Sequence, residues 1–153
     1  GSLDYVNFLR ATHLCTNDVR EKTRAFERVL FNVIFNNRDD HPKNFAYLMA
    51  ANGQWSLAPA FDVTYNDGPG GYHQMDVMGE ALDIERQHMM ALGEQEAELT
   101  LAEIDEKIEA FSTVGDAFAD TARSLYPDQI TEETLSQIQR QIRDNISRLK
   151  KPL

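Results

Sequence analysis

The segment that most restricts this chain is Phe31-Asn32-Val33-Ile34-Phe35, followed almost at once by Asn37-Arg38-Asp39-Asp40-His41-Pro42-Lys43-Asn44. Phe26, Val29, Leu30, Val33 and Ile34 recur at helical spacing on one face, and Phe31 and Phe35 make the other side apolar as well. A helix that is apolar on both sides is buried on both sides. The sequence therefore predicts a central helix, opened by the cap signal Thr16-Asn17-Asp18 and running to about Asn36. Glu21 follows Asp18 in capping-box register. So dense a polar stretch directly after so apolar a helix marks a loop built for chemistry.

The flanking signals are mostly helical. Leu3, Val6, Phe8, Leu9 and Leu14 predict an amphipathic helix over residues 3–14. After the polar loop, Phe45–Met49 reads as a short strand, Asn52-Gly53 as a hairpin turn and Trp55–Ala58 as the partner strand. This hairpin would bring Asp62 back beside Asn44. Residues 64–72, rich in Gly, Asn and Asp, read as an irregular loop that stays mobile at the mouth of the site, and residues 73–77 as a short extended piece. Beyond Asp83, Leu82, Ile84, Met89, Met90 and Leu92 lead to Gly93, read as a C-cap. Thr100 and Glu103 form a capping box ahead of Ile104, Ile108 and Phe111, with a break expected near Ser112-Thr113. Val114, Phe118, Ala122 and Leu125 continue to a stop at Pro127. Thr131 opens a last helix with the stripe Leu135, Ile138, Ile142, Ile146 and Leu149, ending at Lys150-Lys151. The fold class is mainly α, with one small β-hairpin beside the polar loop.

At 153 residues the chain supports a single domain, taken as residues 3–153 with Gly1-Ser2 read as a cloning scar. A formal net charge of −10 argues against direct gripping of nucleic acid. The single cysteine, Cys15, forms no internal disulfide, which suits a reducing cytoplasm, and it reads as a small, partly buried residue. No apolar run is long enough to span a bilayer, so no membrane association is expected.

Asp39 and Asn44 stand five residues apart in the loop, and Asp62 lies just beyond the hairpin. An Asp-x-x-x-x-Asn pair with a later Asp is what a phosphoryl-transfer lobe requires. One carboxylate orients the attacking hydroxyl, while an amide oxygen and a second carboxylate hold magnesium on nucleotide phosphates. On this reading Asp39 is the base and Asn44 and Asp62 are the metal ligands. His41 and Lys43 could neutralise phosphate charge, although His41 reads better as a hydrogen-bonder shaping the loop. The ordinary readings are a solvated carboxylate or an N-cap for Asp39, a turn former for Asn44 and a helix cap or Asx-turn for Asp62. Asp40 reads as exposed. A zinc site of His41, His73 and His88 lacks any closely spaced pair of ligands. The glycines near Pro69 lack the Gly-Lys-Ser/Thr of a phosphate loop. Met75, Met78, Met89 and Met90 read as core filler.

Taken together, Phe31–Ile34, Asn37–Asn44 and Trp55-Ser56-Leu57-Ala58-Pro59-Ala60-Phe61-Asp62-Val63 resemble the C-terminal lobe of HipA-type serine/threonine kinases, the toxins of bacterial toxin–antitoxin pairs. The strong part of the likeness covers about residues 26–65, and Arg38-Asp39 is similar to the Arg-Asp of protein-kinase catalytic loops. The resemblance implies a protein-kinase-like C-terminal lobe, with ATP and Mg2+ as cofactors. It also implies a protein substrate, an aminoacyl-tRNA synthetase in family members, and a helix-turn-helix antitoxin as partner. A Gly-rich phosphate-covering loop and a strand lysine in a Val-Ala-x-Lys context are not found, and both would belong to a separate N-terminal lobe. The chain alone is then expected to be inactive. The alternative is a non-catalytic interaction module that keeps the kinase-lobe fold.

Overall fold

Helix α2 (Val19–Ile34) is the centre of the computed structural model, which describes residues 3–153; the reading of Gly1-Ser2 lies outside them. Its core face carries Phe26, Val29, Leu30, Val33 and Ile34, all buried, as the spacing predicts. Around it pack α1 (Tyr5–Thr16), α3 (Arg86–Ala97), α4 (Leu101–Asp116) and α6 (Glu132–Leu149), with α5 (Phe118–Leu125) lying against α6. Among the described residues the one sheet is an antiparallel pair, β1 (Tyr47–Met49) and β2 (Trp55–Leu57), in the register Tyr47–Leu57, Leu48–Ser56 and Met49–Trp55. The mainly helical class with a small hairpin is thus as expected. No described helix is long and apolar enough to cross a membrane.

The hairpin turns through Ala51-Asn52-Gly53. Gly53 N donates to the Ala50 carbonyl at 2.9 Å, and Gly53 takes a φ of +82°, where the absence of a Cβ removes the strain. The strands are held down by Glu21. Asp18 caps α2 through the Arg20 amide, but Glu21 does not close the expected capping box. Its buried carboxylate instead accepts the Leu57 amide at 2.6 Å, joining β2 to the first turn of α2. A charged acceptor on a buried amide is among the stronger hydrogen bonds available.

The buried stripe of α1 is Tyr5, Phe8, Leu9, Thr12 and Thr16, whereas Leu3 and Leu14 are exposed. The two threonines are tolerated inside because their hydroxyls donate to carbonyls one turn back, Thr12 to Phe8 at 2.8 Å and Thr16 to Thr12 at 2.7 Å. Cys15, expected to be partly buried, is exposed. Gly93 is no C-cap: α3 runs on to Ala97 and ends at Glu98 in the left-handed region. At Gly93 the helices touch, because a Cβ there would lie 2.5 Å from Ile104 Cδ1. Helix α4 likewise continues through Ser112, which is fully buried, and the expected break falls at Ala117. Thr100 and Thr131 cap α4 and α6 as expected. Met75, Met89 and Met90 lie in the core, with Met78 packed against it.

Candidate active site

Helix α2 must end abruptly to deliver the polar loop, and buried amides do this. Asn36 takes a φ of +57°, a conformation that Asn tolerates better than most residues. Asn145 of α6 reaches across to donate to the Ile34 carbonyl at 3.2 Å and to Asn36 Oδ1 at 3.3 Å. The chain then runs beside residues 66–68. Asn66 N donates to the Asn36 carbonyl at 3.0 Å, and Arg38 N donates to the Asn66 carbonyl at 3.1 Å. Arg38 is buried, and its Nη1 donates to the Gly71 carbonyl. Burial, helped by nearby Arg148, holds this guanidinium below its ordinary pKa. The glycine-rich segment read as mobile is therefore tied down at Asn66 and Gly71, and it contains a single 3-10 turn, Pro69–Gly71.

The loop itself is built on Asp40. This residue was expected to be exposed, and the structure overturns that: it is 1% exposed. Three donors converge on its carboxylate, namely Tyr5 Oη at 2.5 Å, His73 Nδ1 at 2.8 Å and the Gln74 amide at 2.7 Å. Asn32 Nδ2 donates in turn to Tyr5 Oη, and Asn37 Nδ2 to Asn32 Oδ1, each at 3.0 Å. Burial first, and the Asp40 charge second, raise the Tyr5 pKa well above its ordinary value, so its hydroxyl remains a donor. Buried carboxylates persist only with such partners. Asp40 is thus the anchor of the loop.

Asp39, next to the anchor, is part-exposed. Its Oδ1 accepts from Gln74 Nε2, and its Oδ2 has no hydrogen bond among the described residues. Asn44 Nδ2 donates to the Asp39 carbonyl at 2.9 Å, which settles the amide orientation and leaves Asn44 Oδ1 available. Between them, His41 Nδ1 accepts the Lys43 amide at 3.2 Å and opens the 3-10 turn Pro42–Asn44. This is the loop-shaping part expected of His41. Lys43 is exposed, and its ammonium makes no ion pair among the described residues.

Asp62 comes from the other arm of the hairpin. The Ala58 amide donates to the Ala46 carbonyl at 2.8 Å, closing the hairpin base from which one arm runs back to Asn44 and the other on to Asp62. Asp62 is exposed with a φ of +54°, and its carboxylate accepts no hydrogen bond among the described residues. Asn44 Oδ1 and the Asp62 carboxylate, neither hydrogen-bonded among the described residues, are hard oxygen donors of the kind magnesium takes, and magnesium completes its octahedron with water and phosphate. Zinc fits less well. His73 is engaged by Asp40, His88 Nδ1 accepts the Glu85 amide and His41 the Lys43 amide. An apolar cavity of about 190 Å³, lined by Phe8, Phe45, Tyr47 and Met75, adjoins the loop but takes only Pro42 from residues 37–44.

The residues that sequence reasoning missed are Tyr5, His73 and Gln74. Alternation of buried His73, Met75 and Val77 with part-exposed Gln74 and Asp76 was a usable strand-like signal that residues 73–77 pack inward. Nothing local pairs them with Asp40, 33 and 34 positions away.

A family model described as the HipA-like C-terminal domain matches residues 1–146. Among solved structures, a chain of the Shewanella oneidensis MR-1 toxin–antitoxin complex of HipA, HipB and operator DNA superposes with a TM-score of 0.72 at 15% identity. The match covers 96% of the present chain and 36% of that one, so this chain spans about a third of its length. No curated protein matches significantly. The family match extends over nearly all of the sequence, and the chain belongs to the HipA-like C-terminal domain family.

Proposed function

We propose that this domain is the catalytic lobe of a HipA-like serine/threonine protein kinase, transferring the γ-phosphoryl group of ATP to a protein hydroxyl. The observation that carries the reading is the Asn44–Asp39 hydrogen bond at 2.9 Å. It holds the proposed base and a proposed metal ligand in one turn, and Asp62 follows four residues after the hairpin base closed by the Ala58–Ala46 bond.

Asp39 Oδ2, without a hydrogen bond among the described residues, accepts the hydrogen bond of the attacking hydroxyl and orients it for in-line attack. Asn44 Oδ1 and the Asp62 carboxylate would hold the metal, and Lys43, which makes no ion pair among the described residues, would meet phosphate charge. Magnesium, when bound, would neutralise charge on the phosphate oxygens. His41 acts on the loop rather than on the nucleotide. A second lobe would supply the phosphate-covering loop and the strand lysine, and the present chain alone would transfer no phosphate. By the same likeness, the partner is a helix-turn-helix antitoxin and the substrate resembles an aminoacyl-tRNA synthetase. The site of action is the cytoplasm.

The test is magnesium-dependent nucleotide titration of the full-length kinase. Asp62→Asn should weaken ATP binding about tenfold or more with magnesium and leave it little changed without the metal. An interaction module with this fold would show no magnesium-dependent ATP binding in the unmutated full chain.

A further inference from the structure

Among the described residues, Gln74 is the one that hydrogen-bonds both carboxylates of the Asp39-Asp40 pair. Its backbone amide donates to Asp40 Oδ1 at 2.7 Å, and its side-chain Nε2 donates to Asp39 Oδ1. Its backbone has little freedom. His73 before it is 6% exposed and bonded to Asp40 Oδ2, and Met75 after it is 1% exposed in the core. The side chain of Gln74 therefore reaches Asp39 from a rigid mount. Its amide orientation is also determined, because the opposite flip would set Oε1 against the carboxylate.

We infer that Gln74 is the positioning residue for Asp39, clamping Oδ1 so that Oδ2 faces the acceptor hydroxyl; this rests on the phosphoryl-transfer reading above. Asn44 holds the backbone of Asp39 and leaves its side-chain torsions free. Gln74 is the described side chain that restrains them. The same residue closes the segment that starts at Asp62, so both ends of residues 62–74 carry a site residue. Order in that segment, secured near its end by the Arg38–Gly71 bond, thereby reaches the base.

The test uses the full-length kinase with Gln74→Leu, which removes the donor at similar volume, and Gln74→Glu, which sets a carboxylate against Asp39. Both keep the backbone amide on Asp40. Loss of orientation alone should lower kcat about ten- to hundredfold while KM for magnesium-ATP stays within about twofold, because Asn44 and Asp62 are untouched. Gln74→Glu should be the worse of the two at neutral pH. Unchanged kcat in both variants, or a loss confined to KM, overturns the inference. Crystal structures of the variants provide a readout independent of activity. Asp39 rotated off its present rotamer, with Tyr5, Asp40 and His73 in place, supports positioning. Asp39 unmoved in Gln74→Leu overturns it, even if the parent chain proves to transfer no phosphate and the kinase reading fails separately.

Discussion

Asp39 and Asp40 are adjacent and chemically identical, yet the structure predicts opposite consequences for changing each to Asn. The Asp40 carboxylate is buried and accepts from Tyr5, His73 and the Gln74 amide. An Asn there has one acceptor oxygen. If that oxygen faces Tyr5 and His73, the new NH2 meets the Gln74 N–H donor to donor; if it faces Gln74, the other two donors meet an NH2. One or two hydrogen bonds to a charged group are lost, at about 1.5–3 kcal/mol each, so Asp40→Asn should cost roughly 2–5 kcal/mol. For a domain of this size that is a fall in Tm of about 5–15 °C. Asp39 is part-exposed with a single side-chain bond, and Asn can still accept from Gln74 there, so Asp39→Asn should cost less than about 1 kcal/mol. Urea and thermal unfolding followed by far-UV circular dichroism would measure both. An Asp40→Asn variant within about 1 kcal/mol of the parent would refute the anchoring account. The sequence reading of Asp40 as an exposed residue gave no sign of this cost.

Two further outcomes concern the packing beneath the site. Tyr5→Phe removes a buried donor to Asp40 and the acceptor of Asn32, and should cost about 1–3 kcal/mol at neutral pH. Because the folded pKa of Tyr5 is raised, its contribution is complete below pH about 10 and is lost as pH rises towards the folded pKa; urea midpoints should therefore fall less steeply at alkaline pH in the Phe variant. Gly93→Ala should destabilise although Ala is the better helix former by about 1 kcal/mol, because its Cβ would meet Ile104 Cδ1 at 2.5 Å and Cγ1 at 2.8 Å, an overpacking that costs about 1–3 kcal/mol. A higher Tm for that variant would show that the α3–α4 contact relaxes freely.

Sequence reasoning succeeded where a signal is local. The two-sided apolar character of α2, the Thr100 and Thr131 caps and the hairpin turn each declare themselves within a few residues. It failed where the deciding partner is distant. Thr12 and Thr16 look polar until their hydroxyls bond the helix behind them, and Gly93 reads as a terminator until Ile104 and Phe26 are packed against it. Asp40 resembles any loop carboxylate because its ligands come from positions 5, 73 and 74. The Asp39–Asn44 spacing was legible because the hydrogen bond joining them closes within one turn. The anchor that presents this turn depends on tertiary structure, which no local pattern encodes.

The central claim is that Asp39 orients the acceptor hydroxyl in phosphoryl transfer. Single-turnover transfer from ATP by the full-length kinase, parent against Asp39→Asn, tests it most directly. A contact that matters chiefly in the transition state predicts a rate loss of about a hundredfold or more, with ATP affinity within about twofold and the fold intact. Parent-like transfer by Asp39→Asn would contradict the account.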